Sequence, residues 1–256
     1  MDSTLPVLIG EDLTLTRGYM QDVVKVLGSL QLAYVQKQEH DWHYGLEVTM
    51  RGISTQELSI NGQQVRATLD LVRHKVRIGE TNWSLEEYAA PELFNNIKVW
   101  LAARGQTPVL EQPEFAKGAR NFDVVQADSY AAALWWIDKR FRALKASVDG
   151  GLTSPILLYP HHFDLALTWF PHGDDQQLSI GFSTGDEIVR EPYLYLTAYP
   201  EPARFMAVDI PDQARWQTDG FVGVVLPYAA LQSAPDPRAV FTAYGTDIFE
   251  QAAKLF

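Results

Sequence analysis

Asp41-Trp42-His43-Tyr44-Gly45-Leu46-Glu47-Val48-Thr49-Met50-Arg51 is the stretch whose reading decides the fold. Its side chains change character with a period of two. Trp42, Tyr44, Leu46, Val48 and Met50 fall on one side, and His43, Gly45, Glu47, Thr49 and Arg51 on the other. Alternation of this kind predicts a strand with one buried face, because successive side chains of an extended chain point opposite ways. The period is different immediately upstream. Met20, Val23, Val24, Leu27, Leu30 and Tyr34 recur every three or four residues, which predicts a helix over 18–36.

Downstream, Asn61-Gly62 separates two strand-like runs, 57–60 and 63–72. That dipeptide tolerates positive φ at both positions, so it predicts a tight hairpin. Short runs follow at 75–78 and 83–85. Pro91 suits a first helical turn and Gly105 a helix end, with Leu93, Phe94, Ile97, Trp100 and Leu101 as the buried stripe between them. Residues 105–128 carry little periodicity and two prolines, which marks a connector. Its Phe115, Phe122 and Val124 predict that it is ordered.

The plan then starts again. Ser129 can cap a helix with the stripe Tyr130, Leu134, Ile137, Phe141, Leu144 and Val148, ended by Gly150-Gly151. Strand-like runs follow at 156–170, 177–183, 192–199 and 221–226. Asp236-Pro237 opens a last helix with Val240, Tyr244, Ile248 and Ala252 on one side. His43-x-x-Leu46-x-Val48-Thr49 aligns with His162-x-x-Leu165-x-Leu167-Thr168. The expected fold is therefore α+β, with two tandem helix–antiparallel sheet–helix units related by a pseudo-twofold duplication and helices packed on one sheet face. The expected division is a first unit at 1–107, an ordered connector at 108–128 and a second unit at 129–256.

Composition narrows the functions. The chain has 256 residues, 46% of them hydrophobic, and a formal net charge of −11. That charge has the wrong sign for phosphate backbones and for anionic membrane surfaces, so neither nucleic acid nor membrane is expected as a partner. Lys139, Arg140, Arg142 and Lys145 form a local basic group that reads as the wet face of a helix. There is no cysteine, which excludes disulfides, thiolate metal sites and Cys nucleophiles. No basic leader followed by an apolar stretch is readable at the start, so a cytoplasmic address is the default expectation.

Few residues point to chemistry. Six histidines occur, at 40, 43, 74, 161, 162 and 172. On paired strands, His43 and Glu47 share one face, as do His162 and Asp164. Arg51 and Thr168 extend the same faces. These six residues, His43, Glu47, Arg51, His162, Asp164 and Thr168, form the candidate ligand-binding set. A solvated polar sheet face is the simpler reading of the same residues. Imidazole plus carboxylate can also bind a metal or move protons. Gly181-Phe182-Ser183-Thr184-Gly185 matches G-x-S-x-G, but no histidine follows His172, so the acid-then-His order of that nucleophile motif is impossible and a turn is expected. Tyr193, Tyr195 and Tyr199 share a strand face with Thr197, as an aromatic packing stripe or a pocket lining.

Several further strings stand out: Leu27-Gly28-Ser29-Leu30-Gln31-Leu32-Ala33, Trp42-His43, Leu69-Asp70-Leu71-Val72, Phe163-Asp164-Leu165-Ala166, Ala198-Tyr199-Pro200-Glu201-Pro202 and Leu226-Pro227-Tyr228. In this order they resemble the bacterial family known as domain of unknown function 5996. The resemblance implies no activity. The chain departs from the family's pattern at Leu158-Tyr159-Pro160-His161-His162, so the resemblance favours His43 and Asp164 over His162. The expected function is binding of a small molecule or a protein, on a sheet face or between the units, with no cofactor implied. The alternatives are a hydrolase-like or metal-dependent enzyme using His43, Glu47 and Asp164, and a structural homodimer subunit. A monomer and a homodimer are both compatible with the sequence.

Overall fold

The computed structural model describes residues 5–8, 11–115, 122–173 and 175–256. In chain order the elements are α1 (Glu11–Tyr34), β1 (Leu46–Thr49), β2 (Gly52–Ser54), β3 (Leu58–Ile60), β4 (Gln63–Val65), β5 (Ala67–Asp70), β6 (Lys75–Ile78), β7 (Thr81–Ser84), α2 (Ala90–Ala102) and α3 (Val124–Ser147). There follow β8 (Leu152–Thr153), β9 (Leu157–Tyr159), β10 (Asp164–Phe170), β11 (Gln177–Ser183), β12 (Tyr193–Tyr199), β13 (Arg215–Gln217), β14 (Gly223–Pro227), α4 (Tyr228–Ser233), α5 (Pro237–Phe241) and α6 (Ile248–Ala253). The fold is α+β with antiparallel strand pairing. Two compact units emerge: Ile9–Ala131 with Leu157–Phe163, and Met1–Leu8, Ala132–Ile156 and Asp164–Phe256. They are called the first and second unit below.

In the first unit the strand order is β9-β1-β2-β5-β6-β7. The register builds two kinds of row. Val48, Ile53, Leu69, Val76 and Trp83 lie opposite one another on one face, and α1 packs on β5 from that side. The other face carries Glu47, Ser54, Thr68, Arg77 and Asn82 in one row, and Thr49, Gly52, Asp70, Lys75 and Ser84 in the next. The Asn61-Gly62 hairpin forms as expected, with φ of 52° and 73°, and joins β3 to β4 in a separate two-stranded sheet. α2 starts at Ala90 with Pro91 in its first turn, and Glu92 accepts a hydrogen bond from the Ala89 N–H.

In the second unit the order is β13-β14-β12-β11-β10, with β8 on β10. Leu165, Leu167 and Trp169 share a face with Leu178, Ile180 and Phe182 and with Leu194 and Leu196. The C-terminal helices cover this face: Phe249 packs against Trp169, Tyr228 against Phe182, both as tilted ring pairs, and Gly245 approaches Ile180. Asp236 caps α5, accepting from the Arg238 and Ala239 N–H groups. The stretch between α5 and α6 widens into a π-helical turn (Thr242–Asp247).

Five expectations are not met. The strand predicted over 41–51 begins only at Leu46, because Glu39–Tyr44 winds into a 3-10 turn with His40 and Asp41 at positive φ. The run 156–170 breaks at 160–163 into β9 and β10, and the run 63–72 breaks at Arg66. The helix predicted from Ser129 starts at Val124, so Ser129 lies inside it. A tandem duplication is not shown: Trp42 sits in the 3-10 turn while Phe163 ends a turn directly before β10, and the strand sets of the two units differ.

Candidate functional site

One flank of α1 borders a concave space in the first unit. Lys25, Gly28, Ser29 and Leu32 stand at i, i+3, i+4 and i+7, hence on one helical face. Tyr44, the segment Glu111-Gln112-Pro113-Glu114 and the turn Pro160-His161 form the facing walls of a cavity of about 390 Å³. Two of these walls, 111–114 and Pro160-His161, are tied to the helix through backbone carbonyls. Ser29 Oγ donates to the Glu111 carbonyl. Lys25 Nζ donates to the Glu114 carbonyl at 3.2 Å, and Asp22 lies 3.5 Å from the same nitrogen. Gln21 Nε2 donates to the His161 carbonyl at 2.7 Å. Gly28 allows the turn to close in, since a Cβ there would stand 3.0 Å from Pro160 Cγ.

The lining is mixed. Leu32, Pro113, Pro160 and the Tyr44 ring supply apolar surface, and Lys25, His161, Glu111 and Glu114 supply charge and polarity. This combination suits reversible binding. Nucleophilic catalysis would need the Ser29 hydroxyl to face a general base, whereas its proton is directed at a backbone carbonyl.

Of the six residues predicted for a site, none lines this cavity. His43 is buried, its Nδ1 accepts from the Gln38 N–H, and its ring packs tilted against Tyr44 with centroids 4.3 Å apart. Glu47 pairs with Arg66. Arg51 lies 3.5 Å from Asp70. His162 is exposed in the turn before β10. His43, Glu47, Arg51 and His162 belong to the first unit, whereas Asp164 and Thr168 belong to the second. Among the described residues no three His, Asp or Glu gather in a group that could hold a metal ion. The cavity is lined instead by the sequence neighbours Tyr44 and His161. The signal that could have found it was Gly28, a glycine in the middle of a helix, where that residue costs about 1 kcal/mol relative to alanine unless close approach requires it.

Asp164 and Thr168 do share a face of the second unit's sheet. Tyr195 lies across Gly181 and donates its hydroxyl to Asp164, and Thr168 Oγ1 meets Ser179 Oγ at 2.9 Å. Tyr193 donates to Asp186 at 2.6 Å. Burial and the neighbouring Asp186 carboxylate together push the Tyr193 hydroxyl well above the ordinary tyrosine range. The G-x-S-x-G string is not the turn expected for it as a whole: Gly181–Ser183 end strand β11, and only Thr184-Gly185 leave the strand, with Ser183 Oγ accepting from the Gly185 N–H at 3.1 Å and Gly185 at φ +103°. The basic group on α3 is also engaged. Lys139 and Arg140 lie over Trp135 and Trp136, Arg142 bonds Asp138, and Lys145 donates to the Ser154 carbonyl.

Two matches to one family model, described as Family of unknown function (DUF5996), span residues 5–177 and 172–256. The chain belongs to this family. The resemblance to this family is therefore borne out, and the cavity flank Gly28-Ser29 lies within the matched residues 5–177. No curated protein and no solved structure matches the chain. Among the described residues no helix is long and apolar enough to cross a membrane.

Proposed function

We propose that this DUF5996 protein binds a small organic molecule in the cavity beside α1. The observation that carries the reading is the way the cavity is made: two separate chain segments are hydrogen-bonded to one helical flank that keeps a glycine at its centre. Its volume of about 390 Å³ falls in the range of small-ligand sites, which combine mostly apolar walls with a few fixed polar groups. Lys25 and His161 at one side and Leu32 and Tyr44 at the other favour a ligand with a polar end and an apolar body.

Leu32→Trp tests this. Leu32 is partly exposed at the cavity, so an indole can enter the space without disturbing the core. Ligand-observed NMR with a mixed fragment set is expected to give saturable binders for the parent protein that L32W loses, while both proteins melt at similar temperatures. Absence of binders to the parent, or equal binding to L32W, would sink the reading.

A further inference from the structure

The polar face of the first unit's sheet holds a second arrangement, separate from the cavity. Asp70 ends β5 with its side chain 0% exposed. Its Oδ1 accepts a hydrogen bond from the Arg73 N–H at 3.0 Å. Its Oδ2 has no hydrogen-bond partner among the described residues. Two guanidinium groups flank that oxygen, Arg51 Nη1 at 3.5 Å and Arg77 Nη1 at 3.8 Å. Their side chains remain 52% and 32% exposed. Lys75 stands directly opposite Asp70 on β6 and reaches Asn82 at 3.5 Å.

We infer that Arg51, Arg77 and Lys75 form a binding site for the phosphate group of a small phosphorylated molecule, with Asp70 as the buried anchor that holds the two guanidiniums side by side. The argument is one of charge and of unused donors. Two guanidiniums flank one carboxylate and Lys75 stands opposite it on the paired strand, so the group holds three positive charges against one negative on a chain whose net charge is −11. A phosphate monoester carries close to two negative charges at neutral pH, so it matches this surplus better than a monovalent carboxylate does. Each guanidinium has five N–H donors in a planar fork, suited to paired bonds with phosphate oxygens. Among the described residues neither guanidinium donates a hydrogen bond to any protein group. A nucleic-acid backbone would have to approach against the field of the whole acidic chain, whereas a small dianion can enter one local positive spot.

A simple structural bridge explains less. The contacts at 3.5 and 3.8 Å are longer than charge-assisted hydrogen bonds, and exposed ion pairs contribute little to stability. A buried carboxylate is costly to desolvate, and this one draws two cations to one place while leaving their outer edges to solvent.

Inorganic phosphate is the probe. Two-dimensional amide NMR of the parent protein is recorded while phosphate replaces chloride at constant ionic strength, with acetate titrated in parallel. Saturable shifts are expected at Arg51, Asp70, Arg73, Lys75 and Arg77, with little movement at Tyr44 and His161. Acetate is expected to bind at least about tenfold more weakly, since charge-assisted hydrogen bonds contribute more than a factor of ten each in affinity. Arg77→Gln and Arg51→Gln should each weaken phosphate binding by about the same tenfold. Phosphate behaving like chloride, acetate binding as tightly as phosphate, or shifts centred on the cavity residues would overturn the assignment. These readings come from the parent protein, so they hold even where a variant unfolds.

Discussion

Gln31 sits fully buried on α1 and satisfies three backbone groups at once. Its Nε2 donates to the His43 carbonyl at 2.7 Å and the Gly45 carbonyl at 2.9 Å, and its Oε1 accepts from the Gln56 N–H at 2.7 Å. This one carboxamide fixes the 3-10 turn that replaces the expected strand at 41–45, because the turn's carbonyls find their donor on the helix rather than on a neighbouring strand. The turn in turn presents Tyr44 to the cavity. Gln31→Leu fills similar space and removes all three bonds. Each buried group left without a partner costs about 1–3 kcal/mol, so a loss of about 3 kcal/mol or more is expected by urea denaturation. Tyr44 should also move, and an unchanged chemical environment at Tyr44 in the variant would contradict the role given to Gln31.

Among the elements, β10, β11 and β12 show how a small residue sets a larger one. Tyr195 lies opposite Gly181 in the register, and a Cβ at Gly181 would stand 2.1 Å from Tyr195 Cζ. The missing side chain is what lets the phenol cross β11 and reach Asp164 on β10. Gly181→Val is therefore expected to expel the ring, break the Tyr195–Asp164 bond and destabilise the protein by about 3 kcal/mol, read as a lowered denaturation midpoint with an unchanged slope. A wild-type midpoint would refute the packing account. These elements also mark what local sequence could and could not reveal. The Asn61-Gly62 hairpin, the Asp236-Pro237 helix start and strands β6, β11 and β12 were legible, because their determinants lie within a few residues of one another. The break at 160–163 was not legible. It is fixed by α1, through Gly28 against Pro160 and Gln21 on the Pro160 and His161 carbonyls, contacts more than a hundred residues away. The site suffered from the same cause. Reading 41–51 as one strand aimed His43 outward, whereas the turn buries it and turns Tyr44 to the cavity.

At the scale of the molecule, three tyrosines of the second unit govern the response to alkali. Burial raises the hydroxyls of Tyr193, Tyr228 and Tyr244 above their ordinary range, with Asp186 adding to the effect at Tyr193. A folded-state pKa above the unfolded value gives stability that is fully present below the unfolded value, near 10, and is lost as pH rises beyond it. Above that point the unfolded chain sheds these three protons while the folded chain retains them, so these groups alone lower stability by about 4 kcal/mol per pH unit, and Tyr34, also raised by burial, acts in the same direction. Set against a typical stability of 5–15 kcal/mol, unfolding is expected within roughly one to four pH units above 10. Tyrosinate absorbance and circular dichroism should therefore change together for these three side chains. Tyr244→Phe separates the contributions. The Tyr244 hydroxyl donates to the Val224 carbonyl at 2.9 Å, so its removal lowers stability by about 1 kcal/mol at neutral pH. It also removes one of the three retained protons, which lessens the alkaline slope by about 1.4 kcal/mol per pH unit. The stability curves of parent and variant must then cross within about one pH unit above 10, with the variant the more stable beyond the crossing. Urea denaturation at a series of pH values measures both curves. Parallel curves would show that the Tyr244 proton is not held by burial, whereas a crossing ties the alkaline limit of the whole chain to a hydroxyl buried under its last helices.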